Sequence, residues 1–314
     1  MKGKNKKEAK PAAGNPGYHV PVLPAEVMEW LQVREDGVYV DCTFGGGGHS
    51  ALILQSLGAS GKLVAFDQDA DARNNLPADE RLLFIPQNFR HLHRFLRLNG
   101  IDAVDGVLAD LGISSHQIDE AARGFSTRYD AALDMRMDQR QELTAATVVN
   151  TYSEQRLHKI FEQYGEVTNS KTLARTIVEA RRVSRIETIE AFKTAVRSVV
   201  KGNPNKYFAQ VFQALRIEVN DEMGALKEML EQLPDVLKPG GRAVIITFHS
   251  IEDRLVKIFF RDNSFEQPEE NPFETQKTEK VLRPVNKKPV TASAEELEKN
   301  PRSRSARLRA AEKL

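Results

Sequence analysis

Residues able to do chemistry gather in a few short stretches of the chain. The run Asp41-Cys42-Thr43-Phe44-Gly45-Gly46-Gly47-Gly48-His49 lies between a β-branched segment and a helical pattern. Its four glycines let the backbone take positive φ and approach a ligand closely, and the following helix offers unpaired N–H groups to an anion. The next strand-like run ends at Phe66-Asp67, which puts Asp67 about 20 residues past the loop. An ionised carboxylate there can accept both hydroxyl protons of a ribose. Phe89 follows the third strand-like run, where its ring can pack on an adenine or simply fill the core. Asp110 ends the fourth and opens Asp110-Leu111-Gly112-Ile113-Ser114-Ser115. A carboxylate at that point is costly to bury without a purpose or a partner. His249, in Phe248-His249-Ser250, ends the last core strand and is expected to face the same crevice, although a histidine satisfied by backbone groups reads as well.

Two ligand classes fit the glycine loop. A dinucleotide requires G-x-G-x-x-G. Starting at Gly45 puts Ser50 in the third glycine position, and starting at Gly46 puts Ala51 there. S-adenosylmethionine requires only a tight turn and donors for one carboxylate. Asp67 serves either class; Phe89 and Asp110 favour the methyl donor. Leu237-Lys238-Pro239-Gly240-Gly241, before a hydrophobic strand, is common in class I methyltransferases and is also a generic helix-to-strand turn. No histidine spacing beyond His91-x-His93 suggests a metal, so no metal site is expected.

These residues must be positioned by a parallel sheet. Pro24–Leu31 reads as a short helix, 37–43 as a strand, and His49–Gly58 as a helix with a glycine stop. Lys62–Asp69, Arg81–Asn88 and Ala103–Gly112 read as further strands, and the alternation of strands and helices argues for an α/β sheet. From Ser114 to Val200 strand signals are few, and apolar residues fall at helical spacing over Thr151–Tyr164, Ser170–Arg182 and Ile186–Val200. The α/β pattern returns with helical spacing over Phe208–Leu237, a turn at Pro239-Gly240-Gly241, a buried strand over Arg242–Ser250 and an amphipathic helix over Ile251–Phe260. Residues 262–280 are polar and acidic and read as a loop. Arg302–Lys313 reads as an edge strand. The expected division is a flexible basic tail over 1–17, a first sheet segment over 18–113, a helical insertion over 114–205 and a second sheet segment over 206–314.

The chain's 314 residues, 40% hydrophobic and 28% charged, suffice for a sizeable core. Cys42 is the single cysteine, which excludes a disulfide scaffold. The longest apolar runs are strand-length, short of the ~20 residues of a membrane span. With no apolar stretch after the basic N-terminus, a cytoplasmic protein without membrane partners is expected. The net charge is +1, so any nucleic-acid binding must come from local patches. One such patch is Lys171–Lys201, with eight basic and three acidic residues; a second is Arg302, Arg304, Arg307 and Arg309.

Several segments together are far more specific than any alone: HVPVL (19–23), DCTFGGGGHS (41–50), FDQD (66–69), ADLGISSHQID (109–119), RGFS (123–126), LDMRMD (133–138), FQALRIEVN (212–220), LKPGGR (237–242), ITFHSIEDR (246–254) and NPRSRSARLR (300–309). In this order and at these separations the chain resembles the RsmH (MraW) family, ribosomal RNA small-subunit methyltransferases that modify N4 of a cytidine. The resemblance runs from Tyr18 to the last residues. It implies a class I, Rossmann-like methyltransferase sheet interrupted by a helical substrate domain, with S-adenosyl-L-methionine as methyl donor. It implies 16S rRNA, within the small subunit and in its decoding region, as substrate; a homodimer stays open. Donor contacts are implied at Gly47, Gly48, His49, Asp67, Phe89, Asp110 and Gln117. Asp110 is the expected acceptor for the reacting amine, and His249 a residue to orient the base or relay a proton. One segment departs from the family pattern: where many relatives carry H-P-A-T-R-T-F-Q, this chain has Lys206-Tyr207-Phe208-Ala209-Gln210-Val211-Phe212-Gln213, with Gln210 in the arginine position. The alternatives are a class I methyltransferase acting on DNA or protein, a nicotinamide-dependent oxidoreductase, and a non-catalytic ribosome-assembly factor.

Overall fold

The computed structural model describes residues 20–266 and 280–314. The tail expected over 1–17 lies outside the described residues, as does most of the loop expected over 262–280. In chain order the elements are α1 (Pro24–Leu31), β1 (Val38–Asp41), α2 (Gly48–Ser56), β2 (Lys62–Phe66), β3 (Leu82–Ile85), α3 (Leu92–Leu98), β4 (Val104–Asp110) and α4 (Ser115–Asp119). Then come α5 (Ala145–Thr151), α6 (Glu154–Gln163), α7 (Ser170–Val183), α8 (Ile189–Val196), α9 (Pro204–Asn220), α10 (Glu222–Val236), β5 (Leu237–Thr247), α11 (Ser250–Asp262), β6 (Leu282–Pro284), α12 (Ala294–Lys299) and β7 (Arg307–Lys313). No helix among the described residues is long and apolar enough to cross a membrane.

The strands form one sheet in the order β3-β2-β1-β4-β5-β7-β6. Strands β1 to β5 are parallel, and β7 runs antiparallel to both its neighbours. The order reverses between β1 and β4, so a crevice opens beyond their carboxyl ends, where doubly wound sheets bind ligands. The register brings the strand ends together there: Asp41 pairs with Ala65 and Leu108, and Asp110 with Ile246. Parallel strands buried on both faces read as near-continuous apolar runs, as Val104–Asp110 and Ala243–Thr247 do. On one face Leu92, Leu96, Leu230, Leu233, Val256 and Phe259 pack from α3, α10 and α11. On the other, Val27, Leu31, Ile53 and Leu54 pack from α1 and α2. The sequence expectation of an α/β sheet of the class I, Rossmann-like kind interrupted by helices is what the structure contains.

A second core, built by α5 to α9, contains Phe161, Leu173, Phe192, Val211 and Leu215. The expected boundary at 205 falls at the start of α9, yet the apolar face of α9 belongs to this helical core. The hand-over to the sheet comes at Asp221 (φ 46°), which ends α9 and precedes α10.

The helical spacing over Phe208–Leu237 is met by two helices that join at the left-handed Asp221. Two expectations differ in detail. Pro239-Gly240-Gly241 is a bulge within β5 rather than a turn before it: β5 pairs at Val104↔Leu237 and resumes at Gly106↔Arg242, with Gly240 at φ 77°. Arg302–Lys313 is not an edge strand. Residues 301–305 form a 3-10 turn, and β7 lies inside the sheet because the three-residue β6 covers its outer side.

Candidate functional site

A cavity of about 970 Å³ opens at the carboxyl ends of β1, β2 and β4. Gly45, Gly46, Gly48, His49, Asp67, Phe89, Asp110 and Gln117 line one side. Gly45 and Gly47 have φ of +50° and +76°, conformations that tax any residue with a Cβ. Asp67 fastens this loop to β2: its Oδ2 accepts the Gly45 N–H at 2.7 Å and its Oδ1 the Asp69 N–H at 2.8 Å. Burial pushes the Asp67 carboxyl up to about 6, against the pull of those two N–H groups, with Asp69 and Asp41 adding to the rise. Phe89 opens the 3-10 turn after β3 and packs half-buried on the sheet core.

Sequence reasoning passed over Asp41, which staples the loop from the other side. Its Oδ1 accepts the Thr43 N–H at 3.0 Å and its Oδ2 the Ser50 hydroxyl at 2.7 Å. Thr43 in turn accepts the Asp110 N–H at 2.7 Å, joining the end of β4 to the glycine loop. The Asp110 carboxylate lies 3.5 Å from Nε2 of the buried His49. That separation makes a charge pair and not a well-formed hydrogen bond. Burial pulls the His49 imidazole down, but Asp110 and Asp41 outweigh it and the net direction is up. Both ring nitrogens of His49, Asp110 Oδ1 and Ser115 Oγ are buried without a hydrogen-bond partner, and all three residues line the cavity. A buried polar atom left unpaired costs about 1–3 kcal/mol, so polar groups are held ready on this wall.

Gln117 is buried and fully employed. It forms a capping box with Ser114 and donates Nε2 to Asp69 at 2.7 Å. Asp69 also receives Arg123, which is buried, bonded to Asp71 at 2.8 Å, and donates to the carbonyls of Arg136 and Met137, each at 3.1 Å. This network fixes the 133–138 segment against the cavity wall. Its signal in the sequence was the RGFS and LDMRMD pair, whose contact no spacing rule reveals.

Two expected site residues do not face the cavity. Gly47 lies behind it, closing the turn by donating to the Phe44 carbonyl at 2.7 Å; a Cβ there would meet the Phe44 ring at 3.0 Å. His249 turns back to cap α11, its Nδ1 accepting the Glu252 N–H at 3.4 Å and its Nε2 3.1 Å from Glu252 Oε1. The reading of a histidine satisfied by backbone groups holds for Nδ1 alone, since Nε2 is buried without a hydrogen-bond partner; Phe248 and Glu252 line the cavity in its place.

The cavity lining also carries charges to which sequence reasoning gave no role, although Arg216 and Glu252 fall within the FQALRIEVN and ITFHSIEDR segments. Arg216 of α9 forms a two-pronged pair with Glu222 of α10, at 2.7 and 2.9 Å. Glu252 is buried and accepts the Phe248 N–H at 2.8 Å. Glu222, His249 and Glu252 place ligand-type atoms within 4.8 Å of one another, a grouping the sequence did not suggest. Arg216, the Phe248 N–H and His249 already engage its carboxylates.

The basic patches are thinner than counted. In the helical unit, Arg181 donates to the carbonyls of Val149 and Tyr152, Arg185 pairs with Glu187 and Lys193 with Glu190. Lys171, Arg175, Arg182, Arg197 and Lys201 remain exposed. In the second patch Arg309 is buried against Asp253 at 2.6 Å and Arg307 joins it at 3.2 Å, because β7 is an inner strand. Only Arg302 and Arg304 stay outside the sheet, and Arg302 lies 3.4 Å from Asp119. Gln210 donates to the Glu166 carbonyl at 3.4 Å.

Comparison with known proteins identifies the family. A relative from Parabacteroides distasonis, named ribosomal RNA small subunit methyltransferase H, is 53% identical over 299 residues, which cover 95% of this chain and 98% of that one. A protein of the same name from Flavobacterium johnsoniae is 51% identical over 306 residues, covering 95% and 98%. Among solved structures, an rRNA methylase from Streptococcus thermophilus aligns over 93% of both chains at 13% identity and a TM-score of 0.39. The MraW methylase family matches residues 17–314, taking in the sheet, the glycine loop and the helical unit alike, and the chain belongs to that family.

Proposed function

We propose that this chain transfers a methyl group from S-adenosylmethionine to N4 of one cytidine of 16S rRNA, in the decoding region of the small ribosomal subunit and in the cytoplasm. The observation that carries the donor half is the set of unpaired buried polar atoms of His49, Asp110 and Ser115 that line the cavity beside Asp67. Asp67 suits the ribose hydroxyls, Phe89 the adenine, and the glycine turn with His49 the amino-acid end of the donor. Gly48 opens α2, where free N–H groups favour a carboxylate. Gln117 contributes by holding Asp69 and the 114–117 turn.

The bound donor supplies an activated methyl on a sulfonium. The chain has to hold a poor nucleophile, an amine whose lone pair is delocalised into the ring, in line with that methyl. Such positioning is worth on the order of 7–11 kcal/mol in favourable cases. Asp110 Oδ1 accepts one N4–H, which aims the amine and favours positive charge developing on nitrogen. Thr43, holding the Asp110 backbone, fixes that carboxylate relative to the loop. The substrate half rests on the relatives' names and on the exposed basic residues of the helical unit. The target base must be unpaired or flipped to enter the cavity.

The test is transfer of labelled methyl to small subunits lacking the modification, with naked RNA and DNA in parallel and the labelled nucleotide identified by mass spectrometry. N4-methylcytidine at one decoding-region position is expected. Label in DNA, or none despite measurable donor binding, overturns the substrate. Asp110→Asn is expected to keep S-adenosylhomocysteine affinity within a few-fold and to lower kcat by about 10²-fold or more, as loss of an oriented charge does; normal turnover would remove Asp110 from the chemistry.

A further inference from the structure

The donor-side residues account for one wall of the cavity. The same cavity is lined, where α9 ends, α10 begins and α11 begins, by Arg216, Glu222 and Glu252, three largely buried charges that the donor reading leaves without a task. The side chains of Arg216, Glu222 and Glu252 are 13%, 11% and 2% exposed. Burying charge is costly unless it is paired, and a fold that needed only a helix junction there would be served by apolar residues. The Arg216 pairing uses Nε and Nη2, and among the described residues Nη1 makes no hydrogen bond. A guanidinium cannot release its proton and cannot accept, so Nη1 is a permanent donor on the cavity wall.

The wall is also aligned with the reacting end of the sheet. Asp110 is in register with Ile246, and two residues further on the Phe248 N–H is held by Glu252. The turn after Asp110 lies against Phe248, which would be 3.5 Å from a Cβ at Gly112. Burial pushes the Glu252 carboxyl up, but His249 and Arg216 together hold it below the usual range, so it stays charged and keeps the junction rigid. Glu222 splints the guanidinium plane. What this assembly presents to a ligand is a fixed, unpaired Nη1 amino group lining the same cavity as the Asp110 carboxylate.

We propose that the Arg216–Glu222 pair is the acceptor-base subsite, and that Arg216 Nη1 donates to the ring acceptor N3 of the target cytosine while Asp110 accepts from its exocyclic amine. This rests on the methyltransferase reading above. A pyrimidine edge with an acceptor at N3 beside a donor at N4 satisfies both groups. Uracil does not: its N3–H faces a donor and its O4 faces a carboxylate. Arg216 is a specificity-determining residue, and Glu222 and Glu252 position it.

The test compares full-length wild type with the double variant Arg216→Gln/Glu222→Gln, which keeps two polar side chains able to pair but removes the fork and the charges. Binding is measured to small subunits carrying either cytidine or uridine at the target position, and methyl transfer to the cytidine subunits, with S-adenosylhomocysteine affinity and thermal melting alongside. The expected result is S-adenosylhomocysteine affinity within about twofold of wild type, a fall of about 10–100-fold in kcat/KM on cytidine, as for loss of a charged hydrogen bond, and a cytidine-to-uridine binding preference lowered by about tenfold or more, the remainder being held by Asp110. An unchanged preference, or wild-type kcat/KM, overturns the subsite. If the double variant does not bind S-adenosylhomocysteine, the same ratio is read on Arg216→Lys, which keeps the charge beside Glu222 and loses the planar fork. A wild-type enzyme that leaves cytidine unmethylated overturns the function itself, whereas a methylating wild type paired with a fully discriminating variant overturns the subsite alone.

Discussion

At the scale of single residues, Asp67 ties folding to ligand binding with opposite signs. Its carboxyl titrates at about 6 in the fold against 3.8 for the free side chain. A group whose pKa is raised on folding contributes stability that is fully present below the unfolded value and is lost as pH rises through the folded one. The unliganded loop therefore gains from acid between about 6 and 3.8, whereas acceptance of ribose hydroxyls needs the ionised form. Calorimetric affinity for S-adenosylhomocysteine should be flat above pH 7 and should weaken by up to about tenfold per unit below pH 6; a flat profile down to pH 5 would exclude Asp67 as the titrating contact. Arg123 makes a second residue-scale case. Breaking a buried pair leaves an uncompensated charge and costs about 3–5 kcal/mol, so Arg123→Met should lower stability by that order in denaturant unfolding and loosen the 133–138 segment. Asp67 and Asp110 were legible in the sequence because strand ends place side chains at the crevice. His249 was not, because whether a strand-end histidine faces a ligand or caps the next helix depends on Glu252 three residues later. The RGFS segment was legible only as a motif, since the carbonyls that Arg123 binds are fixed by tertiary contact.

At the scale of elements, the helices and the parallel strands followed from apolar spacing and turn residues, and misreadings occurred where a neighbour decides the outcome. β7 looked like an edge because Arg307 and Arg309 alternate with apolar residues, but Asp253 on α11 neutralises both arginines and lets the strand lie inside the sheet. α9 is amphipathic on any reading; that its apolar face joins the helical core is a matter of packing. The glycine loop is the element on which both sequence and geometry insist. Gly47 sits in the left-handed region, where a side chain costs about 1–2 kcal/mol, and a Cβ would also press on the Phe44 ring. Gly47→Ala should therefore lower the melting temperature by several degrees and weaken donor affinity through the displaced turn, although Gly47 itself does not line the cavity. Unchanged donor affinity in a stably folded Gly47→Ala protein would separate the turn from the site.

At the scale of the whole molecule, two cores meet at one cavity. The sheet core supplies the donor-side wall, and the helical core, through α9 and its junction with α10, brings Arg216 and Glu222 to the same cavity. The charge of the chain is nearly balanced, so attraction to RNA has to be local. Once the arginines committed to carbonyls and carboxylates are set aside, Lys171, Arg175, Arg182, Arg197 and Lys201 are what the 171–201 patch can offer to phosphate. Each phosphate neutralised by such a side chain releases counterions and adds about 0.7–0.9 to the slope of log affinity against log salt. Replacing Arg175 and Arg182 by Gln should leave S-adenosylhomocysteine binding unchanged and flatten the salt slope for small-subunit binding by one to two such increments. It should weaken binding at low salt more than at high salt, because the lost interaction is itself screened. Equal weakening at every salt concentration would point to a distorted helical core. An unaltered slope would move the RNA to another face, with Arg302 and Arg304 at the cavity mouth the next residues to replace.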